Sequence, residues 1–253
     1  MENRCSFSYL SLARHAETGD DRPYLDWHQF VHMPEKYQIM GIVGGQRWIS
    51  TSACRAARAA ESPGWSTVSH VTSYLMADPI EETLDEFMRV GAPMMGEPAY
   101  LPNQFQRTLK LLDIHAAPRV GLPPQVLPFR PNRGIYFVLE ELLEPEGSSD
   151  SLREVIPELL GVSGVAGVWT FASLSNLRPR NLYTPGHYRA TVLYLDKEPA
   201  VVGMQLAEAL EFWWRAAPAK VLLAAPFESM TAMDLDRFGP GEDEAPSIAE
   251  SPG

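Results

Sequence analysis

The chain has 253 residues, 45% of them hydrophobic, and a formal charge of −11. That length suits one large domain or two ordinary ones, and no apolar run reaches the ~18 residues of a membrane-spanning helix. The acidic balance argues against a nucleic-acid partner, which needs a basic face.

Residues 6–14 alternate Phe7 and Tyr9 with serines and predict a strand. A helix is expected over 22–40 on the spacing of Tyr24, Trp27, Val31 and Tyr37, with Asp20 and Asp21 placed to accept its first backbone N–H groups. Pro34 breaks the hydrogen-bond ladder, so a kink or restart is expected near Met33, and Gly41 ends the element. Residues 43–51 read as a strand, 54–64 as a loop or short helix, and 67–76 as a third strand. Ile80, Leu84, Phe87 and Met88 mark an amphipathic helix that stops near Gly91, and a fourth strand covers 105–114. Five prolines make 115–132 a linker. The order then returns as strand 135–142, helix 151–160, strands 167–173 and 188–195, helix 201–216 and strand 221–230. Residues 238–253, rich in Gly, Pro, Ser and acids, lack the apolar surface to order themselves.

The chain repeats itself. Met33-Pro34-Glu35 with Gly41-Ile42-Val43-Gly44 after it recurs as Ile156-Pro157-Glu158 with Gly164-Val165-Ala166-Gly167, and Pro34 and Pro157 stand 123 positions apart. Strand, helix, strand, strand, helix, strand is the ferredoxin-like order. The expected class is therefore α+β: two tandem ferredoxin-like repeats, 1–118 and 133–237, joined by a Pro-rich linker over 119–132. Each sheet has one face without helices, and packing those faces together gives an α/β-barrel. A barrel of about eight strands can just enclose one small ligand. The copies differ in that Val155 and Ser151 stand where the first carries His32 and His28, so chemistry is expected in the first half.

His28 and His32 are four apart and share a helix side. Three roles stay open: His32 as a general acid/base, a metal pair completed by Glu35, or structural imidazoles at the Pro34 kink. His70, Thr72 and Tyr74 share one face of a strand and could join His32 at a cavity, or form an outer surface. Trp27, Gln46 and Trp48 are candidates for an aromatic, amide-bearing wall, with Arg47 on the opposite face from Gln46 and Trp48. Tyr183 and Arg180, in the loop 176–187, could cover a mouth, and Trp169 and Phe171 could add wall from the second half. Cys54 stands beside Arg55 and Arg58, which would lower a thiol pKa, but no neighbouring His supports a nucleophile there. Two cysteines are too few for a disulfide framework, and the N-terminus lacks a signal-peptide pattern, so a cytoplasmic setting is expected. No phosphate loop or dinucleotide fingerprint is present, and no cofactor is expected.

The segment from Asp26 to Glu35, with Gly41 and Arg47-Trp48 after it, resembles the dimeric α/β-barrel superfamily, in its EthD-like and methylmuconolactone-isomerase-like branches. Those families carry a helix ending in His-apolar-Pro, and the match places His32 at the family histidine. It departs from the pattern at Val31, where an acid is usual, and at Met40, where proline is common. The superfamily includes isomerases, polyketide cyclases, cofactor-free monooxygenases and haem-binding enzymes. The resemblance therefore implies a cofactor-independent isomerase, cyclase or lyase using a histidine acid/base on a small hydrophobic or aromatic oxygenated compound. A cofactor-free monooxygenase and a non-catalytic binding protein are the alternatives. The repeat would make the chain a pseudo-dimer in itself, with a further homodimer left open.

Overall fold

A computed structural model describes residues 2–91, 93, 99–143, 149–173, 184, 186–216 and 219–230. In chain order the elements are β1 (Phe7–Arg14), α1 (Arg22–Trp27), a π-helical stretch (His28–His32), α2 (Met33–Lys36), β2 (Ile42–Ile49), α3 (Ser52–Ala56) and β3 (Ala60–Glu61). Then come β4 (Val68–Met76), α4 (Ile80–Gly91), β5 (Asn103–Ala116), β6 (Gly134–Leu142), α5 (Ser149–Gly161), β7 (Val165–Ala172), β8 (Tyr188–Leu195), α6 (Pro199–Ala216) and β9 (Ala219–Ser229). The linker contains two 3₁₀ turns, Pro118–Val120 and Pro124–Phe129.

The strands run β2-β4-β1-β5-β7-β8-β6-β9, each antiparallel to its neighbour, and β9 returns to β2. The result is a closed eight-stranded antiparallel barrel with helices outside. The two seams are unequal. β5 pairs with β7 from Lys110 opposite Ala172 to Ala116 opposite Gly167, whereas β2 meets β9 only at Trp48 opposite Ser229 and Ile49 opposite Glu228. The short β3, expected only as loop or helix, extends the sheet by pairing with β9.

Strand alternation decides what fills the barrel. Leu10, Leu12, Trp48, Phe105, Trp169 and Phe171 point inward and join one buried cluster. This corrects the expectation of a ligand inside the barrel, because side chains occupy that space. Trp169 and Phe171, expected as pocket walls, are core residues at 0% and 1% exposure, and Trp48, at 2%, belongs to the core while also lining a cavity at the β2–β9 seam.

Outside the barrel the two helix layers differ. Over the second half, α5 and α6 pack Val155, Leu159, Leu206 and Trp213 against Val138 and Leu193 in a closed apolar cluster. Over the first half, Met33, Ile39, Leu84 and Phe87 form a smaller cluster with Tyr9 and Tyr74. Among the described residues no helix is long and apolar enough to cross a membrane.

Candidate active-site cleft

Pro34 shapes the helical segment that carries the site. It sits in the first turn of α2, where a missing N–H breaks no bond. The turn before it widens, and the Met33 N–H reaches back to the carbonyl of His28. One extra residue is thus accommodated as a π-bulge, a feature frequent at functional sites. The kink expected near Met33 takes this form. At the start of α1, Asp20 accepts the Arg22 N–H at 3.0 Å, as expected, but Asp21 accepts from the Ala16 N–H and from His70.

A cleft opens between this segment, α4 and the helix-facing side of β1, β4 and β5. Tyr9 and Tyr74 form its floor, Trp27, His28 and His32 one wall, and Phe87 and Met88 of α4 the other. It is narrow: about 60 Å³ is open to the centres of water-sized molecules, and about 570 Å³ is free when its open mouth is counted. Gly45 permits the packing behind it, since a Cβ there would lie 2.9 Å from the Tyr37 ring and 3.1 Å from that of Tyr74.

His32 is half-buried, stacked on Trp27 with ring centroids 5.0 Å apart, and 6.3 Å from Tyr74 in a T arrangement. Burial, with the cations Lys36 and Arg47 nearby, pushes its pKa down to about 3, so the imidazole is neutral at pH 7. His28, 5.0 Å from His32 between centroids, is buried and also held neutral, by burial and then by Arg47 and His32. Its Nδ1 has no hydrogen-bond partner among the described residues, and neither has the Tyr74 hydroxyl. Burial pushes the Tyr74 phenol well above its ordinary range, so it can act only as a neutral donor. The cleft therefore gathers three of the four expected catalytic candidates, His28, His32 and Tyr74, together with Trp27.

His70 lies elsewhere. Its Nε2 donates to Asp21 at 2.7 Å, and the Tyr24 ring, 5.0 Å from it, stands between it and the cleft. Burial lowers the His70 pKa even though Asp21 opposes the shift. Burial, the largest single influence, would raise Asp21, but the bond and charge of His70, the Ala16 N–H and the charge of His15 together outweigh it and the carboxyl titrates below its usual range. The pair fastens the start of α1 to β4.

Gln46 and Trp48 do not reach the cleft. The Gln46 amide donates to the Pro128 carbonyl and the Trp48 indole to Asn132 at 3.5 Å. Both line a second cavity of about 260 Å³ at the β2–β9 seam, together with Arg47 and Arg130. Tyr183 and Arg180 lie outside the described residues.

Two buried cations were missed, of which Lys36 lines the cleft and Arg47 lines the second cavity. Arg47, on the helix-facing side of β2, is 4% exposed, donates to the Leu25 carbonyl at 3.3 Å and lies 5.2 Å from the Tyr24 ring centroid. Its Nε and Nη2 have no partner among the described residues. Lys36 is fully buried, donates to the Phe87 carbonyl at 2.5 Å and sits 3.9 Å over the Phe87 ring. Burial pushes its pKa down to about 8, against a smaller opposing effect of Glu35. One signal was legible: Lys36 comes four residues after His32, as His32 comes four after His28. Among the described residues no carboxylate lines the cleft.

Cys54 departs from expectation. It is buried and its thiol is pushed up to about 11, because burial dominates while Arg55 and Arg58 turn to the carbonyls of Ser50, Ser66 and Val68. The metal reading of His28, His32 and Glu35 finds no third ligand, since among the described residues no group of three His, Cys, Asp or Glu is placed to hold an ion.

No protein-family model and no curated protein sequence matches the chain. Solved structures do match it in shape. An anthrone oxidase-like protein superposes with a TM-score of 0.56 at 12% identity, over 91% of this chain and 93% of that one. A chlorite dismutase variant from Candidatus Nitrospira defluvii, solved with cyanide, gives 0.51 at 11% identity over 92% and 94%. At such identities the likeness concerns the fold, which is that of the dimeric α+β barrel proteins.

Proposed function

We propose that the chain is a cofactor-independent enzyme that moves a proton on a small hydrophobic or aromatic oxygenated compound, with His32 as the acid/base. The observation that carries this reading is the neutral His32 imidazole, held between Trp27 and Tyr74 in a cleft without carboxylates among the described residues. A neutral imidazole accepts a proton from a phenol or from carbon beside a carbonyl. Tyr74 donates its unpartnered O–H to the oxygen on which charge develops. That negative charge raises the basicity of His32 as the proton arrives, because an opposite charge favours the imidazolium. Trp27, Tyr24 and Phe87 supply flat walls that keep water out. Returning the proton to another carbon gives isomerisation, addition of the carbanion to a second carbonyl whose oxygen takes the proton gives cyclisation, and departure of a β leaving group that takes the proton gives elimination.

The same reading takes the two halves as tandem ferredoxin-like copies of the EthD-like branch, in which only the first kept the reacting groups. It places the enzyme in the cytoplasm with a small-molecule substrate and no resident cofactor. A second reading, cofactor-free oxygenation, draws on the fold likeness to the anthrone oxidase-like protein. It shares the proton removal and differs in the fate of the carbanion, which would react with molecular oxygen.

Anthrone is the probe that tests both. Exchange of its methylene protons in deuterated buffer reports proton removal, and oxygen uptake reports oxygenation. His32→Ala should lower the catalysed rate about 10² to 10⁴-fold. Exchange without uptake supports proton-transfer chemistry, and both together support the oxygenase. Binding of anthrone with neither activity would make the protein a carrier and overturn the proposal.

A further inference from the structure

The two halves provide an internal control for one residue. Lys36 and Leu159 each stand two positions after the shared proline, Pro34 or Pro157, and both are fully buried. In the second half Leu159 packs with Val155, Leu206 and Trp213 in an apolar cluster. The position therefore accepts a hydrocarbon side chain in this fold. A buried ammonium is costly to desolvate unless it is paired.

Lys36 is not paired in that sense. One of its three N–H donors reaches the Phe87 carbonyl, the Phe87 ring lies beneath it, and no ion pair to it exists among the described residues. The space beside it is kept by glycine, since a Cβ on Gly91 would stand 2.8 Å from Nζ. Gly91 and Lys36 both line the cleft, and Lys36 follows His32 by one helical turn.

We infer that Lys36 is the recognition point for a carboxylate on the compound the cleft binds, so that the ligand class is small aromatic acids. This rests on the cleft being the substrate site. The ammonium at the cleft wall supplies the counter-charge, and the ring lies against Trp27 and Phe87 with its reacting edge toward His32.

The groups facing Lys36 do not supply that charge. His32 on its own helical segment is neutral, and Tyr9 and Tyr74 on β1 and β4 are phenols. Phe87, Met88 and Gly91 of α4 carry no charge, and Glu35, on the same turn, is exposed. With its pKa lowered by burial to about 8, the amine is a cation at pH 7 and loses its charge in the mildly alkaline range.

Calorimetric titration with salicylate and its neutral isostere salicylamide tests this. Wild-type protein at pH 7 should bind salicylate roughly tenfold or more tighter, the scale of one charge-assisted hydrogen bond. Lys36→Leu, copying the second half, should erase that preference, leave salicylamide within about twofold and keep or raise the thermal midpoint. In the unaltered protein the affinity for salicylate, whose own charge is constant over this range, should fall between pH 8 and 10. Equal affinities in wild type, or undiminished salicylate binding in folded Lys36→Leu, would overturn the inference. If Lys36→Leu does not fold, Lys36→Met and the pH series decide. Because the readout is binding, the result stands apart from anthrone turnover and from His32→Ala, which judge the catalytic reading.

Discussion

Acidification should weaken this fold through the histidines of the cleft. His28 and His32 are neutral in the native state, His32 with a pKa of about 3 and His28 with one well below its ordinary value, whereas unfolded imidazoles titrate near 6.5. Below pH 6.5 the unfolded chain thus binds more protons, and stability falls as pH falls. Each such group contributes about 1.36 kcal/mol per pH unit, or about 2 kcal/mol at pH 5.0. The two together should remove about 4 kcal/mol between pH 7.5 and 5.0, a large share of a typical 5–15 kcal/mol total. Urea unfolding monitored by the fluorescence of the six tryptophans measures this directly. In His28→Leu or His32→Leu the loss should shrink by about 2 kcal/mol. Glu140, raised by burial despite Arg189, acts in the opposite sense, but it is common to all the proteins and cancels from the comparison. A loss below about 1 kcal/mol in wild type, or a loss in both variants as large as in wild type, would refute the reasoning.

Other consequences are more direct. The acid limb of the rate profile should lie well below pH 6.5, and placing it near 6.5 would show His32 to be exposed when the substrate binds. Glu140 and Arg189 form a bidentate pair at 2.7 and 3.1 Å, buried between β6 and β8. Glu140→Ala should cost about 3–5 kcal/mol in chemical denaturation, and pairing Glu140→Leu with Arg189→Met should recover most of it. Residues 1–118 alone would expose Leu10, Leu12, Val71 and Phe105, so size-exclusion chromatography should show association or aggregation instead of a stable monomer.

Much of the fold was legible because it is local. Alternation in residues 6–14 and 67–76, the proline at position 34 and the Gly41 turn each act within a few residues. The two-residue β3 was not legible, since Ala60 and Glu61 are a strand only because β9 lies alongside. The pairing of His28 with His32 was likewise written in the helical spacing.

The choice of faces was not. Alternation on β2 separates Gln46 and Trp48 from Arg47, but which set faces the helices depends on how the sheet closes. Closure through β2 and β9 turned Trp48 into the barrel core and left Arg47 under α1. His70 and Tyr74 share a strand face, yet Tyr24 lies between His70 and the cleft, so only Tyr74 reaches it. Lys36 reads in sequence as an ordinary charged residue at the end of a helix. The packing of α4 made it a buried ammonium, because Phe87 covers its stem and supplies its one acceptor among the described residues. Spacing fixes which side chains travel together, and only the long-range contacts of strand and helix decide which of them lose water.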